Sequence, residues 1–194
     1  MSAGQTARLH CAELSARDCA LLLNVIAGHD PLDATSLTGT TEVDMKWRVA
    51  HPAADTWNWV GADAIVNFAR AHSMSVRGHT LVWGKASANP PWLMALTDPT
   101  AFRSAVLGAI ATEVGRYAGR VQRWDVVNEP FTSDGNQLDH NAFYERIGPD
   151  YVEVALRAAH AADPATSLWI NESGLELGTS RADNFIAFGA GLGA

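Results

Sequence analysis

The sequence predicts an α/β fold in which parallel strands are joined by crossover helices. Two observations carry this: segments with a 3.6-residue apolar period alternate with short β-branched and aromatic runs, and polar residues gather where those runs end. Loops that leave the C-terminal ends of parallel strands converge on one face, so polar residues there mark a candidate site. No low-complexity run, charge block or Pro/Ser-rich linker divides the chain, so residues 1–194 are read as one domain.

A strand is expected near Leu37–Thr41, ahead of Glu42 and Lys46. Ala62, Ile65, Val66 and Ala69 keep the i, i+3, i+4, i+7 rule and predict a helix over about Gly61–His72. Ser75–Trp83 reads as a strand, and Pro90-Pro91 ends the loop beyond it. Thr97-Asp98-Pro99 reads as an N-cap followed by proline in the first turn. Phe102, Ala105, Val106, Ala109, Ile110 and Val114 carry that helix towards Gly119, the expected C-cap. Val121–Glu129 is the next strand, followed by a glycine-containing loop and a helix over Pro149–Ala162 that Asp163-Pro164 stops. Ser167–Asn171 is the last strand, and a final helix starts at Ser180. An earlier strand is hard to find in Arg8–Leu14.

Composition narrows the function. The chain has 194 residues, is 47% hydrophobic and 18% charged, and carries a formal net charge of −7. Such a balance disfavours a nucleic-acid partner, which calls for a basic patch. No HExxH or paired CxxC is present, so metal chemistry is not expected. Cys11 and Cys19 are expected to be free thiols, since eight helical residues span about 12 Å. The N-terminal residues lack the basic start and apolar stretch of a signal peptide, and no run is long enough to span a membrane. Seven tryptophans fit a core and a sugar-stacking surface equally well.

Glu42 with Lys46, His79 with Trp83, Asn128 with Glu129, and Asn171 with Glu172 each stand at a predicted strand end. Taken singly, His79 reads as a core histidine, Trp83 as packing, and Glu42 with Lys46 as a surface pair. Three runs in order outweigh that reading: Met45-Lys46-Trp47 behind Glu42, Arg77-Gly78-His79-Thr80-Leu81-Val82-Trp83, and Trp124-Asp125-Val126-Val127-Asn128-Glu129. Together they resemble successive strand-end motifs of the family-10 glycoside hydrolases, the endo-1,4-β-xylanases, and the resemblance is clear over about residues 41–175.

That resemblance implies a (β/α)8 TIM barrel, incomplete here, that cleaves β-1,4-xylan or xylo-oligosaccharides with retention of configuration and without a cofactor. It makes Glu129 the acid/base, with Asn128 and His79 on the sugar at the cleavage point. Glu42 and Lys46 would hold the next sugar, and Trp83 would wall the pocket. Retention requires a second carboxylate about 5–5.5 Å away, across the anomeric carbon. The family carries it on its seventh barrel strand, beyond the reach of these residues, so the 194-residue polypeptide is expected to be inactive by itself. A non-catalytic or vestigial xylan-binding fragment is the alternative, and open barrel edges imply self-association. The family is usually secreted. Departures from its pattern fall at Val43, at Gly84-Lys85-Ala86 and at Ser173-Gly174, each replacing a sugar-contacting residue type.

Overall fold

The computed structural model describes residues 40–177 and 180–192. Four strands form one sheet in the order β1-β2-β3-β4, every pair parallel: β1 is Thr40–Asp44, β2 Ser75–Trp83, β3 Arg123–Asn128 and β4 Ser167–Asn171. Parallel neighbours need long crossovers, and helices supply them. Helix α1 (Trp47–Ala50) and α2 (Val60–Ala71) join β1 to β2. Helices α3 (Pro91–Met94) and α4 (Pro99–Arg116) join β2 to β3. Helices α5 (Ala142–Ile147) and α6 (Tyr151–Ala162) join β3 to β4, and α7 (Ser180–Gly191) follows β4. The described residues thus form an open arc of parallel strands with helices outside it, part of a (β/α)8 barrel.

Side-chain caps mark the starts of α4 and α5. The Asp98 carboxylate accepts from Ala101 N at 2.8 Å with Pro99 behind it, and the Asn141 side chain accepts from the N–H groups of Phe143 and Tyr144. The core lies between sheet and helices. Val66 and Ala69 of α2, and Phe102, Val106, Ile110 and Val114 of α4, pack with Val43, Val76, Val82, Val126 and Val127 of the sheet. Gly78 lets the sheet close on the Trp124 ring, since a Cβ there would sit 2.3 Å from the indole.

Several boundaries differ from the sequence reading. The first strand is Thr40–Asp44 rather than Leu37–Thr41, so Glu42 lies inside it; residues 37–39 are outside the described set, as are Arg8–Leu14, Cys11 and Cys19. Its position is fixed by pairing, with Thr41 opposite Val76 and Val43 opposite Gly78, more than by any apolar run. Helix α4 stops at Arg116, and Gly119 makes a left-handed turn (φ +69°) after it. The stretch read as loop before Pro149 holds α5, which ends where Gly148 takes φ +125°. The third strand ends at Asn128, because Glu129 leaves the extended region.

Candidate active site

Strand alternation builds the site in tiers. Residues two apart face the same side of a strand, and the register sets them in rows across the sheet. Glu42, Arg77 and Arg123 share the lowest row; Asp44, His79, Asp125 and Trp169 the next; Trp83, Asn128 and Asn171 the row at the strand ends. Glu42 and His79 therefore sit deeper than the strand-end rim on which the sequence reading placed them. Val43 points the other way, fully buried in the core, so this departure from the family pattern serves packing here.

Asp125, which is 1% exposed, organises the middle row. Its Oδ2 accepts from His79 Nδ1 at 2.7 Å, from Arg77 Nε at 2.9 Å, and pairs with Arg77 Nη2 at 2.7 Å. A carboxylate on Nδ1 fixes the tautomer with the proton there and turns Nε2 away from Asp125. Arg77 also donates to Asn171 Oδ1 at 3.3 Å and lies 3.8 Å from Glu42. Ligand atoms of Glu42, His79 and Asp125 come within 4.8 Å of one another, a spacing a cation could use. The Arg77 guanidinium already supplies the positive charge there, so the group does not fit a resident metal.

Glu129 occupies the end of β3 in a left-handed conformation, φ +48°. For a residue with a side chain this region costs free energy and persists only where the surroundings hold it. Here Glu129 N–H donates to Asn171 O at 2.7 Å, Pro130 follows, and Phe131 N–H donates to Glu172 Oε2 at 3.1 Å. The Glu129 carboxylate is partly open to solvent. Its Oε2 accepts from the Trp83 indole N–H at 3.2 Å and pairs with Lys85 Nζ at 2.8 Å. Beside it, Asn128 Oδ1 accepts from Asn171 Nδ2 at 2.6 Å. Lys46 does not pair with Glu42 as an i, i+4 contact; its ammonium binds Asp44 and lies 5.5 Å from the Trp83 ring centre.

The structure thus brings Trp83, Asn128 and Glu129 together at the strand ends and sets Lys46 beside them. His79 and Glu42 lie one and two rows below. Arg77 and Asp125, which hold these groups, have no role in the sequence reading, and Asn171 enters it only as a polar residue at a strand end. Their signal was alternation: Arg77 and His79 are two apart, as are Arg123 and Asp125. Glu172 is tied down, its carboxylate 1% exposed and bound to Arg181 at 2.9 Å.

Comparison with known proteins shows the family and the barrel fold. The description Glycosyl hydrolase family 10 matches residues 27–188, most of the chain. The chain belongs to glycosyl hydrolase family 10. Endo-1,4-beta-xylanase 3 of Hypocrea jecorina is 39% identical over 137 residues, 71% of this chain and 39% of that relative. Endo-1,4-beta-xylanase A of Phanerodontia chrysosporium is 36% identical over 162 residues, 80% of this chain and 38% of that relative. Among family-10 structures, xylanase 10B from Thermotoga petrophila RKU-1 in complex with xylobiose superimposes with a TM-score of 0.79 at 29% identity. That match covers 94% of this chain and 53% of the other. The chain spans about two fifths of the length of these curated family-10 relatives.

Proposed function

We propose that these residues form the acid/base half of an endo-1,4-β-xylanase site that cleaves β-1,4-xylan or xylo-oligosaccharides with retention. Glu129 donates a proton to the leaving oxygen and then takes one from the attacking water. Asn128 and His79 hold the sugar at the cleavage point, Glu42 and Lys46 the next one, and Trp83 walls the pocket. No cofactor enters this chemistry. The observation that carries the reading is Glu129 held in a left-handed conformation at a strand end, its carboxylate partly open and bonded to the Trp83 indole. Strained backbone of this kind gathers where function fixes a side chain.

The second carboxylate must face Glu129 across the sugar. Glu172, on the neighbouring strand end, does not meet this need, because its carboxylate is occupied by Arg181 and the Phe131 N–H. Tested as the bare 194-residue polypeptide, the protein should therefore release no reducing sugar from xylan, losing several orders of magnitude of rate against a complete barrel. That occupied Glu172 also favours the second reading, a non-catalytic xylan-binding fragment. Titration with xylo-oligosaccharides beside a reducing-sugar assay separates the two when the remaining barrel strands are supplied from a family-10 relative.

In that completed barrel, hydrolysis of xylan should appear and depend on Glu129. An acid catalyst contributes about 10²–10⁴-fold, and least where the leaving group needs no proton. Glu129→Ala should therefore lose far more activity on xylan than on an activated aryl xylobioside. Equal losses on both would argue against the acid role. Binding without any sugar release in a folded, completed barrel would favour the second reading.

A further inference from the structure

Lys85 stands just beyond β2 on a turn that is held from beneath. Asn89, only 3% exposed, donates from Nδ2 to the carbonyls of Trp83 at 2.7 Å and Lys85 at 2.9 Å. Ala88 N–H reaches the Lys85 carbonyl as well, at 3.0 Å. Gly84 lets this turn pack against the cap of α5, since a Cβ there would lie 2.5 Å from Asn141 Nδ2. The backbone that carries Lys85 is thus fixed by a buried amide and a close packing contact.

From this turn the Lys85 ammonium reaches across the pocket wall. It lies 4.6 Å from the centre of the Trp83 ring and 2.8 Å from Glu129 Oε2. The Trp83 indole donates to the same oxygen at 3.2 Å. Among the described residues, no hydrogen bond reaches Glu129 Oε1. Lys46, the other ammonium near Trp83, is paired with Asp44 and does not compete for Glu129.

We propose that Lys85 is a positioning residue for Glu129. Lys85 and Trp83 hold Oε2 from two directions, and Oε1 is left as the oxygen that exchanges a proton with the glycosidic oxygen. The indole alone gives one neutral hydrogen bond, whereas a charged partner on a fixed turn restricts the carboxylate more strongly. This rests on Glu129 as the acid/base, but the clamp itself can be tested without turnover.

The experiment is side-chain NMR on the full 194-residue chain, labelled with 13C and 15N. The Lys85 ammonium signal, identified by its loss in Lys85→Arg, should exchange slowly with water and turn fast in Glu129→Gln. The Glu129 side chain should show restricted motion that Lys85→Met lowers to the level of the exposed Glu176, while Lys85→Arg preserves it. Lys85 is 59% exposed, so neither change threatens the fold. Unchanged Glu129 order in Lys85→Met would overturn the proposal, as would an ammonium in free exchange in the unsubstituted chain. An inactive completed barrel would count against the proposed function and leave the clamp standing.

Discussion

At the scale of single residues, close contacts and buried charges decide what the chain tolerates. Gly78 lies on β2 against the Trp124 ring, and the Trp124 side chain is fully buried. Gly78→Ala would drive a methyl group into that ring at 2.3 Å, where neither the strand nor the indole can yield easily. The expected cost is about 1–3 kcal/mol, the usual range for overpacking a core, read as a lower denaturant midpoint at unchanged slope. Glu113 presents the opposite problem, a polar group among apolar ones. It is 0% exposed on α4; Oε2 accepts from Trp47 Nε1 at 2.8 Å and Oε1 has no partner among the described residues. Burial pushes its carboxyl well above the usual range, against a smaller opposing effect of the Trp47 bond. The folded chain therefore keeps a proton that the unfolded chain releases at lower pH. That contribution is fully present below the ordinary glutamate range and is lost as pH rises towards the folded value. Melting temperature should fall as pH rises above the ordinary glutamate range, and Glu113→Gln, which keeps the shape without the charge, should flatten the fall. An equal slope in both proteins would show that other groups govern it.

At the scale of elements, some segments are specified locally and others only by their partners. The strands Ser75–Trp83 and Ser167–Asn171 and the start of α7 at Ser180 match the sequence reading, because β-branched content and flanking breakers mark them locally. The first strand and helix α5 do not match. Thr40–Asp44 is specified by its partner β2, and α5 is a six-residue helix whose cap, Asn141, looks like loop in a single sequence. The site was legible in the same uneven way. The ordered motifs pointed to Glu129, Asn128, His79 and Trp83, whereas Asp125 and Arg77 gained a role only when β2 and β3 were laid in register. The loop after β3 shows another such long-range tie. Arg181 at the start of α7 pairs with Glu172 and donates to the carbonyls of Thr132, Ser133 and Ser173. Its side chain is 14% exposed and that of Glu172 1%, so breaking the pair strands a buried carboxylate, at a cost of about 3–5 kcal/mol. Arg181→Met should therefore loosen residues 131–137 and α7, seen as faster amide exchange there. Adding Glu172→Gln should recover part of the loss, since removing both charges is less costly than removing one. A double variant no more stable than Arg181→Met would rule out an uncompensated charge as the cause.

Over the whole molecule, the open arc sets the behaviour. Among the described residues β4 pairs only with β3, leaving the hydrogen-bonding groups on its other side without a strand. Trp169 on β4 is 52% exposed, with the Arg123 guanidinium 5.5 Å from its ring centre; Leu177 and Ile186, beyond β4, are 72% and 68% exposed. A concave space of about 400 Å³ lies along this side, lined by Arg77, Arg123, Trp169 and Phe185 among others. An unpaired edge beside apolar surface is a template for association. Opposing it is the net charge of −7, whose repulsion between copies falls as salt screens it. The expected outcome for the purified 194-residue polypeptide is a mass above the monomer by light scattering, increasing with ionic strength. A contact made mainly by complementary charges would weaken with salt instead, so the sign of the salt effect separates edge and apolar contact from ion pairing. Trp169→Lys removes exposed apolar area and adds a charge beside the edge, the device natural edge strands use against pairing. It should shift the distribution towards monomer. A monomer that melts cooperatively at both low and high salt would show that the arc is stable with β4 uncovered, and that neither the strand edge nor the Trp169 surface drives association.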